Sequence, residues 1–143
     1  MFGQLALGAL MIAITTVIHA GFMVLGVGLI GAALRRAVLP LPHLKAAIVV
    51  SWFVLVMFGA AIVEVWVWSG LFVVTGALPS LEEATYFSVV TYSTLGYGDI
   101  VLGPEWRLLA SIAAVNGLIL FGWTTALVFI VVQRVYGRSH TPA

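Results

Sequence analysis

Three long apolar stretches constrain the fold of this chain more than any other feature. They cover about residues 5–34, 46–75 and 108–136, and each is longer than the roughly 20 residues that a helix needs to cross a bilayer. Of the 143 residues, 63% are hydrophobic and 8% are charged, whereas a soluble domain carries about 25% charged residues. The sequence therefore predicts an all-α membrane protein with three transmembrane helices in contact with the lipid bilayer.

The segment between the second and third stretches, about residues 79–107, has a different character. Ser80 followed three residues later by Glu83 forms a capping-box pattern, which predicts a short helix over about residues 80–93. A helix of this length does not cross a membrane, and non-helical backbone at membrane depth is tolerated only inside protein or beside a water-filled path. We therefore expect a re-entrant pore helix and loop, the alternative being a surface loop with a stray amphipathic helix.

The six residues that follow, Thr94 to Asp99, read TLGYGD. Glycine takes a positive φ at little cost, so this loop can point several successive carbonyls to one side, where they replace the water around a dehydrated cation. The residues resemble the potassium channel signature T-V-G-Y-G-D, with Leu95 in place of the valine. The resemblance covers about residues 46–136 and implies a pore domain with an outer helix, a pore helix, a selectivity filter and an inner helix.

The resemblance also assigns roles to individual residues. It implies that K⁺ is the permeant ion and that its ligands are the Thr94 hydroxyl and four backbone carbonyls, those of Thr94, Leu95, Gly96 and Tyr97. One chain supplies only one strip of carbonyls, so a homotetramer with cyclic symmetry is expected. Asp99 is expected to cap the loop from behind, and Tyr97 is expected to pack against the short helix. The residues carried over as filter support are Gly98, Asp99, Tyr86 and Phe87, the last two standing where family members often have paired tryptophans.

The third stretch resembles the inner, pore-lining helix of the same family. Gly117 matches the family's hinge glycine, although a glycine at this place also allows close packing of helices. If Gly117 faces a neighbouring helix, helical spacing turns Leu118, Phe121 and Thr125 toward the pore axis. Phe121 or Phe129 is then a candidate for an apolar gate that closes by dewetting.

The first stretch lies outside the resemblance, so we expect an additional N-terminal transmembrane helix and the start of a cytoplasmic loop over residues 1–36, and a pore domain over residues 37–143. The expected parts of the pore domain are an outer helix at about 46–75, a pore helix at about 80–93, a filter at 94–99 and an inner helix at about 106–136. The first stretch has no arginine ladder, so voltage sensing is not expected.

Two ionisable residues fall inside the apolar stretches. With a rise of 1.5 Å per residue, His19 lies roughly 24 Å from Arg35, and Glu64 lies roughly 28 Å from Lys45, so both sit at similar depth. Ionisable residues inside a membrane usually have a partner. The sequence leaves open a buried His19–Glu64 pair, a contact from Glu64 to the short helix, or separate hydroxyl and carbonyl partners. A pair would provide pH sensitivity, because histidine titrates near neutrality.

The basic residues predict the orientation of the chain. Five of the six fall between the first two stretches or after the third, at positions Arg35, Arg36, Lys45, Arg134 and Arg138. The positive-inside rule makes that side cytoplasmic. We therefore expect the N-terminus outside and the C-terminus inside, in a plasma or inner membrane.

Composition argues against several other functions. The net charge of +1 gives no reason to expect a nucleic-acid partner, and the absence of cysteine excludes thiolate metal sites and disulfides. We expect no cofactor and no enzymatic activity, because no paired carboxylates or nucleophile–base set are predicted at one depth. No soluble regulatory domain is expected in this chain. The predicted function is passive, potassium-selective conduction; the alternatives are a weakly selective monovalent cation channel and a non-conducting regulatory membrane subunit.

Overall fold

The computed structural model describes residues 2–36 and 43–137, and all regular secondary structure in these ranges is helical. The helices are α1 (Phe2–Arg36), α2 (His43–Val74), α3 (Leu81–Tyr92) and α4 (Arg107–Tyr136). In α1, α2 and α4 the apolar run is long enough to cross a membrane. The predicted all-α, multi-pass membrane fold is thereby confirmed, with helix ends close to the expected ones. The boundary predicted between residues 36 and 37, and the basic residue Arg138, involve residues outside these ranges.

Helix α1 packs on α2 and α4 of the same chain. Its buried positions are spaced by three, four or seven residues, as expected for one face of a helix, and they are Gly8, Met11, Thr15, His19, Gly26 and Ile30. A Cβ atom at Gly26 would lie 2.9 Å from the ring of Phe53 on α2, so the two helices approach closely there. The buried face of α1 therefore combines small, polar and large apolar residues, and it includes the buried polar side chains Thr15 and His19.

A tight reversal connects α2 to α3. Gly76 has a φ of 72°, and the amides of Ala77 and Leu78 donate to the Phe72 carbonyl at 2.9 and 3.1 Å, which closes the carboxyl end of α2. Ser80 then caps α3, because its Oγ accepts a hydrogen bond from the Glu83 amide at 3.2 Å. The capping pattern in the sequence therefore correctly marks the start of the short helix.

Helix α3 packs against both α2 and α4. Its buried side chains join a cluster that includes Trp68, Phe72 and Leu109. A second cluster, containing Phe53, Met57 and Val131, lies toward the other end of the long helices. The short helix is consequently held near the carboxyl end of α2 and the amino end of α4, which places the loop that follows it at that end of the molecule.

Candidate functional site

The carboxyl end of α3 rests on the backbone of α4. Gly117 is buried, and a Cβ atom added to it would lie 2.0 Å from the carbonyl oxygen of Tyr92 and 2.8 Å from Tyr92 Cγ. A residue with a side chain does not fit at this distance. The point at which the chain leaves α3 is therefore fixed directly against α4.

The loop after α3 has backbone angles that alternate in sign. Thr94, Gly96 and Gly98 have φ values of 59°, 61° and 78°, whereas φ is negative at Leu95 and Tyr97. The left-handed region disfavours residues other than glycine by about 1–2 kcal/mol, so Thr94 adopts its conformation against an intrinsic cost. Glycine adopts this region at little cost, and the alternation allows successive peptide groups to turn toward one side, which an extended strand does not.

The amides of the loop point back to α3. Leu95 and Gly96 both donate to the Val90 carbonyl, at 2.9 and 3.2 Å, and Thr94 donates to the Thr91 carbonyl at 3.0 Å. In a trans peptide the carbonyl of the preceding residue points opposite to the N–H group. The carbonyls of Thr94 and Leu95 therefore point away from α3, and the last turn of α3 gains partners for carbonyls that the helix itself leaves free.

The opposite side of this loop is uncovered. Every residue from 93 to 99 is exposed in the chain, so no other segment among the described residues shields it. Backbone carbonyls away from secondary structure need water, an ion or another chain as a partner. The carbonyls of Thr94 and Leu95 are thus exposed acceptors on the face of the loop that is turned away from α3.

Tyr86 and Asp99, both predicted to support the filter, are in direct contact. The Tyr86 hydroxyl donates to Asp99 Oδ2 at 2.5 Å, and the Ile100 amide donates to Asp99 Oδ1 at 3.0 Å. The Tyr86 hydrogen bond lowers the pKa of the Asp99 carboxyl and raises the pKa of the Tyr86 phenol. The contact therefore links the middle of α3 to the far end of the loop.

The remaining support residues are placed differently. Phe87 is buried and packs edge-on against Phe72 of α2, with ring centroids 5.3 Å apart, so it anchors α3 to the outer helix. Tyr97 is 67% exposed, so a single chain leaves most of its ring uncovered. Gly98 supplies the last of the three positive φ angles.

The predicted gating residues fall on two sides of α4. Gly117 faces α3, whereas Leu118 and Thr125 lie on the exposed side. Phe121 is 37% exposed, and its ring meets the Tyr92 ring edge-on at 5.7 Å. Of the two interpretations of Gly117, the geometry favours close packing, because the residue is pressed against α3.

His19, Glu64 and Tyr92 form a buried polar chain. His19 Nδ1 lies 2.9 Å from Glu64 Oε1, and the Tyr92 hydroxyl donates to Glu64 Oε2 at 2.9 Å. Each of the three residues is 1% exposed. A carboxylate oxygen only accepts hydrogen bonds, so the Tyr92 phenol is the donor in this contact. Two of the arrangements left open by the sequence, a His19–Glu64 pair and a contact from Glu64 to the short helix, therefore occur together.

The polar chain continues into α4. Thr124 Oγ1 lies 3.2 Å from His19 Nε2, and a hydroxyl can serve either nitrogen protonation state because it both donates and accepts. One turn before His19 on α1, Thr15 Oγ1 accepts a hydrogen bond from Asn116 Nδ2 of α4 at 2.7 Å. Polar contacts inside the apolar interior thus connect all four helices.

A comparison with protein-family models agrees with this architecture. The model described as "Ion channel" matches residues 47–134. The chain belongs to this ion channel family. The match spans most of α2, all of α3 and its loop, and most of α4, and it leaves α1 of the channel outside. Searches of the curated proteins and of the solved structures find no match.

Sequence reasoning did not identify several residues of the channel's polar chain. Tyr92 is the last residue of α3 and sits between the helix and the loop, yet nothing in the motif indicates a partner on α2. Thr15 could have been found, since it lies four residues before His19 on the same face of an apolar helix. Thr124 could not, because the neighbouring Thr125 offers the same hydroxyl and only the packing of α4 distinguishes them.

Proposed function

We propose that this chain is one subunit of a homotetrameric, potassium-selective channel that conducts K⁺ passively through four copies of the TLGYGD loop. The proposed ligands are the carbonyls of residues 94–97 and the Thr94 hydroxyl. The observation that carries the proposal is the direction of the loop amides. Because the N–H groups of Leu95 and Gly96 are bonded to Val90 on α3, the carbonyls of Thr94 and Leu95 are free on the uncovered side.

The proposed assembly follows from what one chain lacks. A dehydrated potassium ion needs oxygens on several sides, and a single row supplies them on one side only. Four rows around an axis complete the coordination shell, and a cyclic arrangement closes without leaving an open edge. The exposure of the whole loop and of most of the Tyr97 ring supports a partner chain at this surface.

Helix α3 supplies an electrostatic contribution in the same assembly. Its carboxyl end carries roughly half a negative charge, and that end lies against α4 at Gly117, well inside the apolar span. Four such ends directed toward one axis favour a cation in the cavity below the filter. Leu118, Phe121 and Thr125 on α4 are the proposed lining of that cavity, with Phe121 as the proposed gate.

The proposed orientation puts the N-terminus outside and the C-terminus in the cytoplasm of a plasma or inner membrane. Lys45 near the start of α2 and Arg134 near the end of α4 mark the cytoplasmic side by the positive-inside rule. Glu82 and Glu83 in the first turn of α3 then face outside. In this proposal, residues 37–143 form the ion-conducting pore domain, and the helix within residues 1–36 packs behind it. The proposal involves no catalysis.

The test is purification, mass measurement of the assembly in a membrane mimetic, and ion flux in liposomes under K⁺ and Na⁺ gradients. Gly96→Ala and Gly76→Ala form a matched pair, because both residues have a positive φ and neither Cβ would meet an atom within 4 Å. The backbone strain of about 1–2 kcal/mol is therefore alike in both. We expect Gly96→Ala to abolish potassium selectivity and Gly76→Ala to preserve it.

Other results would select a different function. Equal K⁺ and Na⁺ permeation in the parent protein would indicate the weakly selective cation channel. An assembled protein without flux would indicate the non-conducting regulatory subunit. A monomer or dimer in membranes would refute the tetrameric pore.

A further inference from the structure

The polar chain from α1 reaches the base of the conducting loop. Glu64 lies in the middle of α2, and one carboxylate oxygen faces His19 of α1 while the other accepts from Tyr92, the last residue of α3. We propose that Glu64 is a positioning residue for ion conduction. His19 holds the Glu64 carboxylate, the carboxylate fixes Tyr92, and Tyr92 in turn fixes the filter. The inference rests on the proposed function only in taking residues 94–97 as the conduction path.

Burial makes this tether specific. Glu64 is 1% exposed, and a carboxylate removed from water needs hydrogen-bond donors because its desolvation is otherwise uncompensated. Within residues 2–36 and 43–137, its donors are supplied by His19 and Tyr92. A shift of Tyr92 would leave Oε2 without its donor, so the position of α3 is coupled to the α1–α2 contact.

The carbonyl group and the ring of Tyr92 are also held in place. Its carbonyl oxygen lies against the backbone of α4 at Gly117, and its ring meets Phe121 edge-on. With the hydroxyl held on α2 and the carbonyl held on α4, the residue has little freedom to slide or rotate. Close packing transmits such a constraint to adjacent groups.

The filter amides are attached one turn of chain away. Thr91 and Val90, which directly precede Tyr92, supply the carbonyls that accept from the Thr94, Leu95 and Gly96 amides. A displacement of Tyr92 therefore moves the acceptors that set the direction of the filter peptides. Helix α1 contributes to conduction in this scheme because its His19 holds the carboxylate in place.

The experiment measures amide hydrogen exchange of the assembled channel in lipid nanodiscs, together with the reversal potential under a K⁺/Na⁺ gradient. Tyr92→Phe removes only the hydroxyl, and Tyr136→Phe on α4, next to the distant cluster, is the matched control. We expect Tyr92→Phe to speed exchange at Leu95 and Gly96 about 10- to 100-fold, the range that loss of a hydrogen bond to a charged group represents. Potassium selectivity falls with it, exchange in the middle of α2 stays unchanged, and Tyr136→Phe alters neither readout.

The role of Glu64 is tested by a double-mutant cycle. Glu64→Leu should reproduce the effect of Tyr92→Phe, and combining the two should add little further, because Tyr92 acts through the carboxylate. Glu64→Gln keeps an oxygen that accepts from Tyr92 and should retain slow exchange. If Glu64→Leu does not assemble, Tyr92→Phe and Glu64→Gln still decide the question.

Three results would overturn the inference: unchanged exchange at Leu95 and Gly96 in Tyr92→Phe, fully additive effects in the cycle, or equal losses in Glu64→Gln and Glu64→Leu. A change confined to overall unfolding, with exchange and selectivity of the assembled protein intact, would likewise reduce the tether to a structural contact. A parent protein without potassium selectivity would refute the proposed function, while the exchange measurements would still test the tether.

Discussion

Replacing Gly117 with alanine tests whether α4 needs a hinge at this position or a flat surface. The new methyl carbon would lie 2.0 Å from the Tyr92 carbonyl oxygen and 2.8 Å from the Tyr92 carbonyl carbon. Both are backbone atoms, so no side-chain rotation relieves the overlap. The carboxyl end of α3, and with it the start of the filter, must move away from α4.

The size of the effect follows from these distances. Ordinary contact begins at 3.4 Å, so α3 and α4 must separate by about 1.4 Å at this point, and overpacking of a well-packed interior costs about 1–3 kcal/mol. Alanine also favours a helix over glycine by about 1 kcal/mol. Gly122→Ala on the same helix has the same propensity gain and meets no atom within 4 Å, so the difference between the two variants isolates the overlap.

We expect Gly117→Ala to have a free energy of unfolding about 1–3 kcal/mol below that of Gly122→Ala, with reduced potassium selectivity. Equilibrium unfolding in mixed micelles gives the first quantity, and reversal potentials of reconstituted protein give the second. Gly70→Ala on α2, which also meets no atom within 4 Å, is a second control. Equal unfolding energies with a changed open probability would show that the hinge interpretation is right and the packing argument wrong.

Three further predictions concern the filter support, the first helix and the gate. Tyr86→Phe removes the hydrogen bond that lowers the pKa of Asp99, so the pKa of Asp99 should rise. The ionised Asp99 carboxylate supports the loop above its unfolded-state pKa, and this support is lost as the pH falls through the folded-state pKa. Acidification should therefore impair potassium selectivity at a higher pH in Tyr86→Phe than in the parent protein. Gly26→Ala places a Cβ atom 2.9 Å from an aromatic ring, whereas the Cβ atom of Gly21→Ala meets no atom within 4 Å. The free energy of unfolding should therefore be about 1–3 kcal/mol lower in Gly26→Ala than in Gly21→Ala. Equal values would refute the close α1–α2 approach. Phe121→Ala should raise basal current in single-channel recordings, and unchanged conductance and open probability would count against an apolar gate at this residue.

The sequence by itself determined the elements of this channel and their order. The length and apolarity of α1, α2 and α4 are properties of contiguous residues, as is the cap that begins α3 at Ser80. The TLGYGD loop could also be identified directly, because Gly96 and Gly98 are of the residue type that adopts a positive φ at little cost, and both do so here. The positive φ of Thr94 was not indicated, since a threonine carries no such preference.

Only the tertiary structure decided how those elements meet. His19 and Glu64 are 45 residues apart, and Asn116 and Thr15 are 101 apart, so no local pattern pairs them. The spanning helices carry apolar residues on every side, and in lipid there is no water-facing polar surface whose opposite would be the buried face. In α1, Thr15 and His19 indicate that face but not the helix that packs on it. The fit of neighbouring backbones and side chains decides which face of α1 packs against the other helices. It also decides that the end of α3 lies against Gly117. Dispersion contacts and buried hydrogen bonds form only when distant segments are brought together.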